Sequence, residues 1–338
     1  MTRAATSSIV ALCALAGCRG AAPSSAPAHA RHLVIVTIDT LRADRVGAYG
    51  YKGASTPHLD ALARDGAMAP EASAHVPLTR PSHVTVFTGR LPPETGIRDN
   101  ISPAVVPGVP VLAEVLKKAG FATGAFVSSI VLDSSSGLDR GFDVYDDAIA
   151  GSGGGADFLN TLQRRGDVST AAAIAWLEKT RQASPQGRVF LWLHLYDPHD
   201  PYAPPEPWAS RFAGRLYDGE VAFADEQVGR LDAALARLGL KDETALVVTA
   251  DHGEGLGDGK AGCGGAGARG ERLNQELGAM RWILAFAVSE LTLLLRVKGC
   301  SISNRRRGKT AGNTFRGDAC PAEVPEIFSG RVSRPAPM

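Results

Sequence analysis

Four stretches of the chain are too continuously hydrophobic to leave one face polar: HLVIVTID (32–39), FATGAFVSS (121–129), RVFLWLHLY (188–196) and TALVVTAD (244–251). A strand wetted on one side alternates apolar and polar positions, whereas a strand covered on both sides does not need to, so these runs predict a mainly parallel sheet. Between them the apolar spacing lengthens to that of a helix. TPHLDALARDG (56–66) offers Thr56 as a cap with Pro57 in the first helical position, and VPVLAEVLKKAG (109–120) stops on Gly120. From 217 to about 238, Val221, Ala224, Val228 and Leu231 fall on one stripe. Strands alternating with helices predict an α/β fold, a mainly parallel sheet sandwiched by helices.

Two of the predicted strands end in an acid, Asp39 and Asp251. Ligands of open α/β sheets gather at the carboxyl ends of strands, so both carboxylates are expected at one edge, although either alone could be a helix cap. Other reactive side chains cluster in short segments: Thr79 and His83; His194, Asp197 and His199; His252 beside Asp251. Carboxylates and imidazoles without a thiolate suit Zn, Mn, Mg or Ca as a divalent ion. Such an ion beside Thr79 would favour its alkoxide and neutralise charge growing on a transferred phosphoryl or sulfuryl group. The plain alternative for Thr79 is a helix cap ahead of Pro81. His194, inside an apolar strand, reads as a satisfied core residue, and His58 and His75 as surface residues. There is no dinucleotide or P-loop glycine motif, and GSGGGAD (151–157) reads as a flexible loop.

Composition adds a division along the chain. With 338 residues, 44% of them hydrophobic, the chain can bury a large core, which excludes disordered and fibrous classes. The net charge of +1 conceals an acidic body at −8 (31–258) and a basic tail at +7 (259–338). Every cysteine lies in the first 18 residues or the tail, so no disulfide staples the body, and no histidine follows His252. The leader, 1–18, has Arg3, an apolar run too short to span a bilayer and the sequence LAGC, and it is expected to be a lipoprotein-type signal peptide. Lipidated Cys18 and a flexible tether (19–31) would then hold an exported protein to the bacterial cell envelope.

The blocks VIVTIDTLRADRVGAYGY, TPHLDALARDG, PLTRPSHVTVFTGRLPPETGIRDN, WLHLYDPHDPYAPPEPW and LVVTADHGEGLGD resemble, in order, the sulfatase family of the alkaline phosphatase superfamily across 32–258. The resemblance implies an alkaline-phosphatase-like fold and metal-dependent hydrolysis of small-molecule or glycan sulfate or phosphate esters. It places Thr79 at the nucleophile, with Asp39, Thr79, Asp251, His252 and, more weakly, Asp197 as metal ligands. His199 matches the histidine that contacts substrate or protonates the leaving group; the resemblance makes Arg90, the arginine of the Thr-Gly-Arg element, a substrate contact, and His83, standing where the family has an arginine, a catalytic residue. The family's nucleophile is a Cys or Ser oxidised to formylglycine. Threonine cannot be oxidised in that way, so formylglycine chemistry is not expected, and the superfamily's threonine phosphodiesterases supply the nearer analogy.

After Asp258 the family pattern stops, and residues 259–338 are expected to be an atypical basic tail where the family has a C-terminal subdomain. Such a tail suggests an aberrant or truncated C-terminus. An inactive sulfatase-like fragment and a phospho-group transferase are the alternative functions. WILAFAVSELTLLL (282–295) is too short to cross a membrane, and NRRRGKT (304–310) reads as a solvated patch, with no nucleic acid expected as a partner.

Overall fold

The computed structural model describes residues 30–69, 72–149 and 163–257. The leader with Cys18, the tether up to residue 29, the segment GSGGGAD, Asp258 and the tail 259–338 lie outside the described residues.

The four predicted runs are strands, β1 (His32–Ile38), β2 (Phe121–Phe126), β4 (Arg188–Leu195) and β5 (Thr244–Ala250), joined by a short β3 (Val144–Asp146). All neighbours run parallel, in the order β3-β2-β4-β1-β5. Three residues are too few to give β3 a hydrophobic period, and its place is fixed by pairing of Gly124 to Val144 across to β2. Among the described residues there are seven α-helices, α1 (Pro57–Asp65), α2 (Thr79–Thr88), α3 (Pro92–Thr95), α4 (Leu112–Lys118), α5 (Gly166–Ala183), α6 (Trp208–Arg211) and α7 (Leu216–Arg237), together with short 3-10 turns. Helix α5 escapes the sequence pattern because alanine gives its two faces little contrast, and Leu177 and Ala173 are its buried apolar residues.

Alternate strand positions feed two cores, one on each face of the sheet. Val34, Val36, Ile38, Leu191, Leu193 and Leu195 pack against α1, α5 and α7. Ile35, Phe190, Trp192 and Val247 meet Val84 and Phe87 of α2 and Ala113 of α4. The stripe Val221, Ala224, Val228 and Leu231 is buried as its spacing requires. At about 1.5–3 kcal/mol for each fully buried aliphatic side chain, these two layers are the main stabilising term of the fold.

One cap is corrected. Thr56 does not cap α1: its hydroxyl accepts from Gly47 N (2.9 Å) and donates to Asp60 (3.1 Å). Asp225, on α7, takes the amides of His58 (3.1 Å) and Leu59 (2.8 Å) instead. An acid from a neighbouring helix satisfies the same orphan donors, and short-range sequence cannot reveal it.

Candidate active site

The register of the central strands brings the reactive residues together. Ile38 pairs with Ala250 on one side and Leu195 on the other, so β5, β1 and β4 end level and release Asp251, Asp39 and the Tyr196–Asp197 peptide side by side. Asp39 N still donates to Leu195 O (2.9 Å). The next residue, Thr40, is left-handed at φ 53°, a rare state for a β-branched residue that costs on the order of 1–3 kcal/mol. Three hydrogen bonds hold the strained turn: Thr40 N to Asp251 Oδ1 (3.2 Å), the Tyr217 hydroxyl to Thr40 O (2.8 Å), and Arg42 N to the Tyr217 hydroxyl (2.9 Å).

Helix α2 points its N-terminus at this edge. Thr79 is its first residue and Leu78, in extended conformation, its N-cap position, so the helix begins two residues before Pro81. The Ser82 hydroxyl donates to Asp251 O (2.6 Å), fixing the helix to β5. Arg80 fixes the other side, donating to Val131 O (2.8 Å) and Ser102 O (2.6 Å) while its amide meets Asn100 Oδ1 (2.9 Å).

Asp39, Asp251 and His252 converge, with one potential ligand atom from each lying within 4.8 Å of the others. His252 Nδ1 bonds Gly253 O (2.9 Å), and since a carbonyl only accepts, the ring proton of neutral His252 sits on Nδ1 and the Nε2 lone pair faces inward. Nε2 lies 3.6 Å from Asp39 Oδ1, 3.5 Å from Asp251 Oδ2 and 3.3 Å from Thr79 Oγ1. Thr79 Oγ1 is also 3.4 Å from Asp39 Oδ2. Both Asp39 Oδ1 and Asp251 Oδ2 are buried without a hydrogen-bond partner.

This knot of electron pairs demands a positive charge. Burial, then the charge of Asp39, pushes Asp251 up to about 6. Burial lowers the pKa of His252, but Asp251 and Asp39 outweigh it and raise the pKa above the ordinary value. Asp39 stays ionised: burial works against its charge, yet the neighbouring imidazoles of His194, His199 and His252 hold it below the usual carboxylate range. Two orphaned carboxylate oxygens and an imidazole lone pair aimed at one space are the donor set of a hard or borderline divalent cation, so the residues fit the ion expected from the sequence.

The remaining expected residues are placed differently. His83 is fully buried, its Nδ1 bonded to Thr79 O (2.7 Å) and its Nε2 to the Thr37 hydroxyl (3.0 Å), and burial pushes its pKa down to about 3. The expectation of a catalytic His83 is therefore corrected: a neutral, fully buried ring whose Nδ1–H is held by Thr79 O and whose Nε2 is held by Thr37 braces helix α2 and faces no substrate. Arg90 as a substrate contact is corrected as well. It follows α2 at the end away from Thr79, about 15 Å along a helix of this length, and pairs with Glu94 (3.8 Å) on the surface. Asp197 stays outside the cluster, because its Oδ2 accepts the amide of Gly166 (2.9 Å) at the start of α5, and burial pushes it up to about 6. His199 is half-buried and stacked on Tyr196 at 4.5 Å. Its Nδ1 bonds Asp200 O (2.6 Å) and the Tyr196 hydroxyl (2.9 Å), which leaves Nε2 as the edge it can offer a substrate. Sequence reading missed Ser82 and Tyr217; the three-residue spacing of Ser82 from Thr79 at a helix start was the one available signal.

The sulfatase family profile matches residues 31–280, about three-quarters of the chain. The chain belongs to the sulfatase family. The match runs past Asp258 into residues outside those described. This sulfatase-family chain is 26% identical over 296 residues to arylsulfatase A of Homo sapiens, covering 75% of this chain and 58% of that one. It is 26% identical over 265 residues to N-acetylgalactosamine-6-sulfatase of Rattus norvegicus, covering 67% and 50%. It thus spans between half and six-tenths of these two curated relatives. Among solved structures, Ps i-CgsB in complex with k-i-k-neocarrahexaose aligns with TM-score 0.61 at 22% identity, covering 77% of this chain and 66% of that one. The phosphonate monoester hydrolase of Agrobacterium radiobacter aligns with TM-score 0.58 at 18% identity, covering 75% and 68%. At those identities the likeness establishes the shared fold.

Proposed function

We propose that the chain is a divalent-metal-dependent hydrolase of sulfate or phosphate esters in which Thr79 is the nucleophile. The observation that carries this reading is the convergence of Asp39, Asp251 and His252 on a space bordered by Thr79 Oγ1, with two carboxylate oxygens left unpartnered. Family membership supports ester hydrolysis, with sulfate esters the class named by the curated relatives.

Asp39 Oδ1, Asp251 Oδ2 and His252 Nε2 would hold the ion. When bound, it supplies Lewis acidity, favouring the ionised Thr79 oxygen and countering charge on the ester. With His252 Nε2 and Asp39 Oδ1 turned to the ion, Asp39 Oδ2 is the acceptor within reach of the Thr79 hydroxyl proton, and the N-terminal end of α2 favours an anionic group in front of Thr79. Attack by Oγ1 forms a Thr79 ester and breaks the bond to the leaving oxygen. Asp200 O accepts from His199 Nδ1–H, so the ring acts as an acid from Nε2 in its doubly protonated form; that Nε2–H protonates the leaving oxygen, and water then releases the group from Thr79. Threonine carries no aldehyde hydrate, so release proceeds by displacement at phosphorus or sulfur.

The test is a panel of aryl sulfates, phosphate monoesters, phosphate diesters and phosphonate esters with and without EDTA. Turnover of at least one member should require Thr79 and a divalent ion. Unchanged turnover in Thr79→Ala overturns the assignment.

A further inference from the structure

His194 sits in the apolar run of β4, where a buried histidine is ordinarily satisfied by its surroundings, and half of the ring is. Ser128 N donates to Nδ1 (3.2 Å), and a backbone amide can only donate, so Nδ1 carries the lone pair and the proton of the neutral ring is on Nε2. That Nε2 is fully buried with no hydrogen-bond partner. The acid facing it is Asp39, whose Oδ2 lies 3.6 Å away, just beyond hydrogen-bond length.

The ring is fastened from behind. The Ser128 hydroxyl donates to His194 O (2.7 Å) and meets the Ser169 hydroxyl (2.6 Å), which accepts from Arg164 Nε (2.8 Å). Arg164 in turn pairs with Asp146 at the end of β3 (2.7 Å). On its other side His194 meets the His83 ring edge-on at 5.1 Å. His83 differs in donating its Nδ1–H to Thr79 O.

We propose that His194 is a positioning residue for Asp39: its Nε2–H fixes Oδ2, so that the unpartnered Oδ1 is turned to the cation. Hydrogen bonds behind ligating carboxylates orient them, and apo distances tighten when the site fills. This inference rests on the cation-binding reading of the preceding subsection. It adds a role for a residue outside the ligand set.

The experiment is calorimetric titration of Mn2+ into the full chain and into H194F and H194Q, with folding checked by near-ultraviolet circular dichroism. H194F keeps a planar apolar ring and loses the donor, and should bind Mn2+ about 10–100-fold more weakly. H194Q restores an N–H at similar reach and should stay close to the parent. Equal affinity in H194F and the parent overturns the proposal, as does an H194Q as weak as H194F, which would make the ring a core filler. A parent chain that binds no Mn2+ defeats the cation reading itself, a result separable from the other two. Should H194F not fold, 15N-histidine spectra of the parent decide: the Nε2–H tautomer is expected, and an Nδ1–H tautomer overturns the proposal.

Discussion

Replacing Asp251 by Asn should move two measurements in opposite directions. Asp251 Oδ1 accepts from His252 N (2.7 Å) and Thr40 N (3.2 Å), bonds an Asn oxygen can keep, while Oδ2 has no hydrogen-bond partner to lose. Two carboxylates with oxygens within 4.8 Å of each other repel by at least about 3 kcal/mol at an effective dielectric of about 20. The rise of Asp251 from 3.8 to about 6, caused first by burial and then by Asp39, is worth a similar amount, about 3 kcal/mol. The folded chain keeps this proton to higher pH than the unfolded chain. Its stabilising contribution is therefore complete below about pH 4 and is lost as the pH rises through about 6, whereas Asn has no such loss. In EDTA near pH 8.5, D251N should outlast the parent in urea by as much as about 3 kcal/mol, and the gap should close in acid. Excess Mn2+ should then reverse the order: the parent gains about 2.7 kcal/mol at a hundredfold excess over Kd, and D251N gains little. A D251N chain less stable than the parent in EDTA at alkaline pH refutes the charge argument. Equal stabilisation of both by Mn2+ refutes the ligand assignment.

Two further predictions follow from named contacts. His199→Ala should slow turnover roughly 10²–10⁴-fold for esters with alkyl leaving groups and far less for nitrophenyl esters, since only a poor leaving group needs the proton; an equal loss across both series removes His199 as the acid. Asp225→Ala strips the acceptors from the His58 and Leu59 amides and should cost about 2–4 kcal/mol in urea denaturation. Burial pushes Asp225 up to about 7, so that cost should be largest in acid and shrink as the pH rises from about 4 to about 7; a pH-independent cost would contradict the buried-acid assignment.

What the sequence disclosed depended on how local each signal was. The four long strands are covered on both faces, and that condition writes itself into a continuous apolar run readable without knowing any partner. Asp39 and Asp251 were legible for the same reason, as the first acids after such runs. Their proximity came from level strand ends, which a one-dimensional pattern suggests only through the rule that ligands gather at that edge. The misplaced residues were those whose meaning is set across the fold. Arg90 was expected to contact substrate because it matches the arginine of the Thr-Gly-Arg element, and helix α2 turns the eleven positions between it and Thr79 into a separation. Asp197 sits among histidines in sequence, but Gly166, where a Cβ would stand 2.8 Å from its Oδ2, brings the α5 amide to it first. His194 read as core, correctly for Nδ1; the orientation of the other nitrogen is visible only when Asp39 is placed beside it.

The departures from the family pattern make one consistent electrostatic arrangement. Where the family carries an arginine, His83 is buried, neutral and hydrogen-bonded at both nitrogens, so it brings no permanent charge to Asp251 despite lying 3.6 Å from it. Among the described residues, the ion pairs of Asp39 and Asp251 are all with imidazoles: His194 and His252 for the first, His83 and His252 for the second. No guanidinium or ammonium touches either acid in those pairs. Two carboxylates buried together need compensation, and a neutral imidazole behind each can orient it without neutralising it. The balance must then come from a proton on His252 Nε2 or from a cation in the same place, and these compete for the same lone pair. On the proposed cation-binding reading, a neutral His83 leaves the charge of Asp251 to be balanced at His252 Nε2, and the Thr79 oxygen, 3.3 Å from that nitrogen, lies where the balancing charge would act.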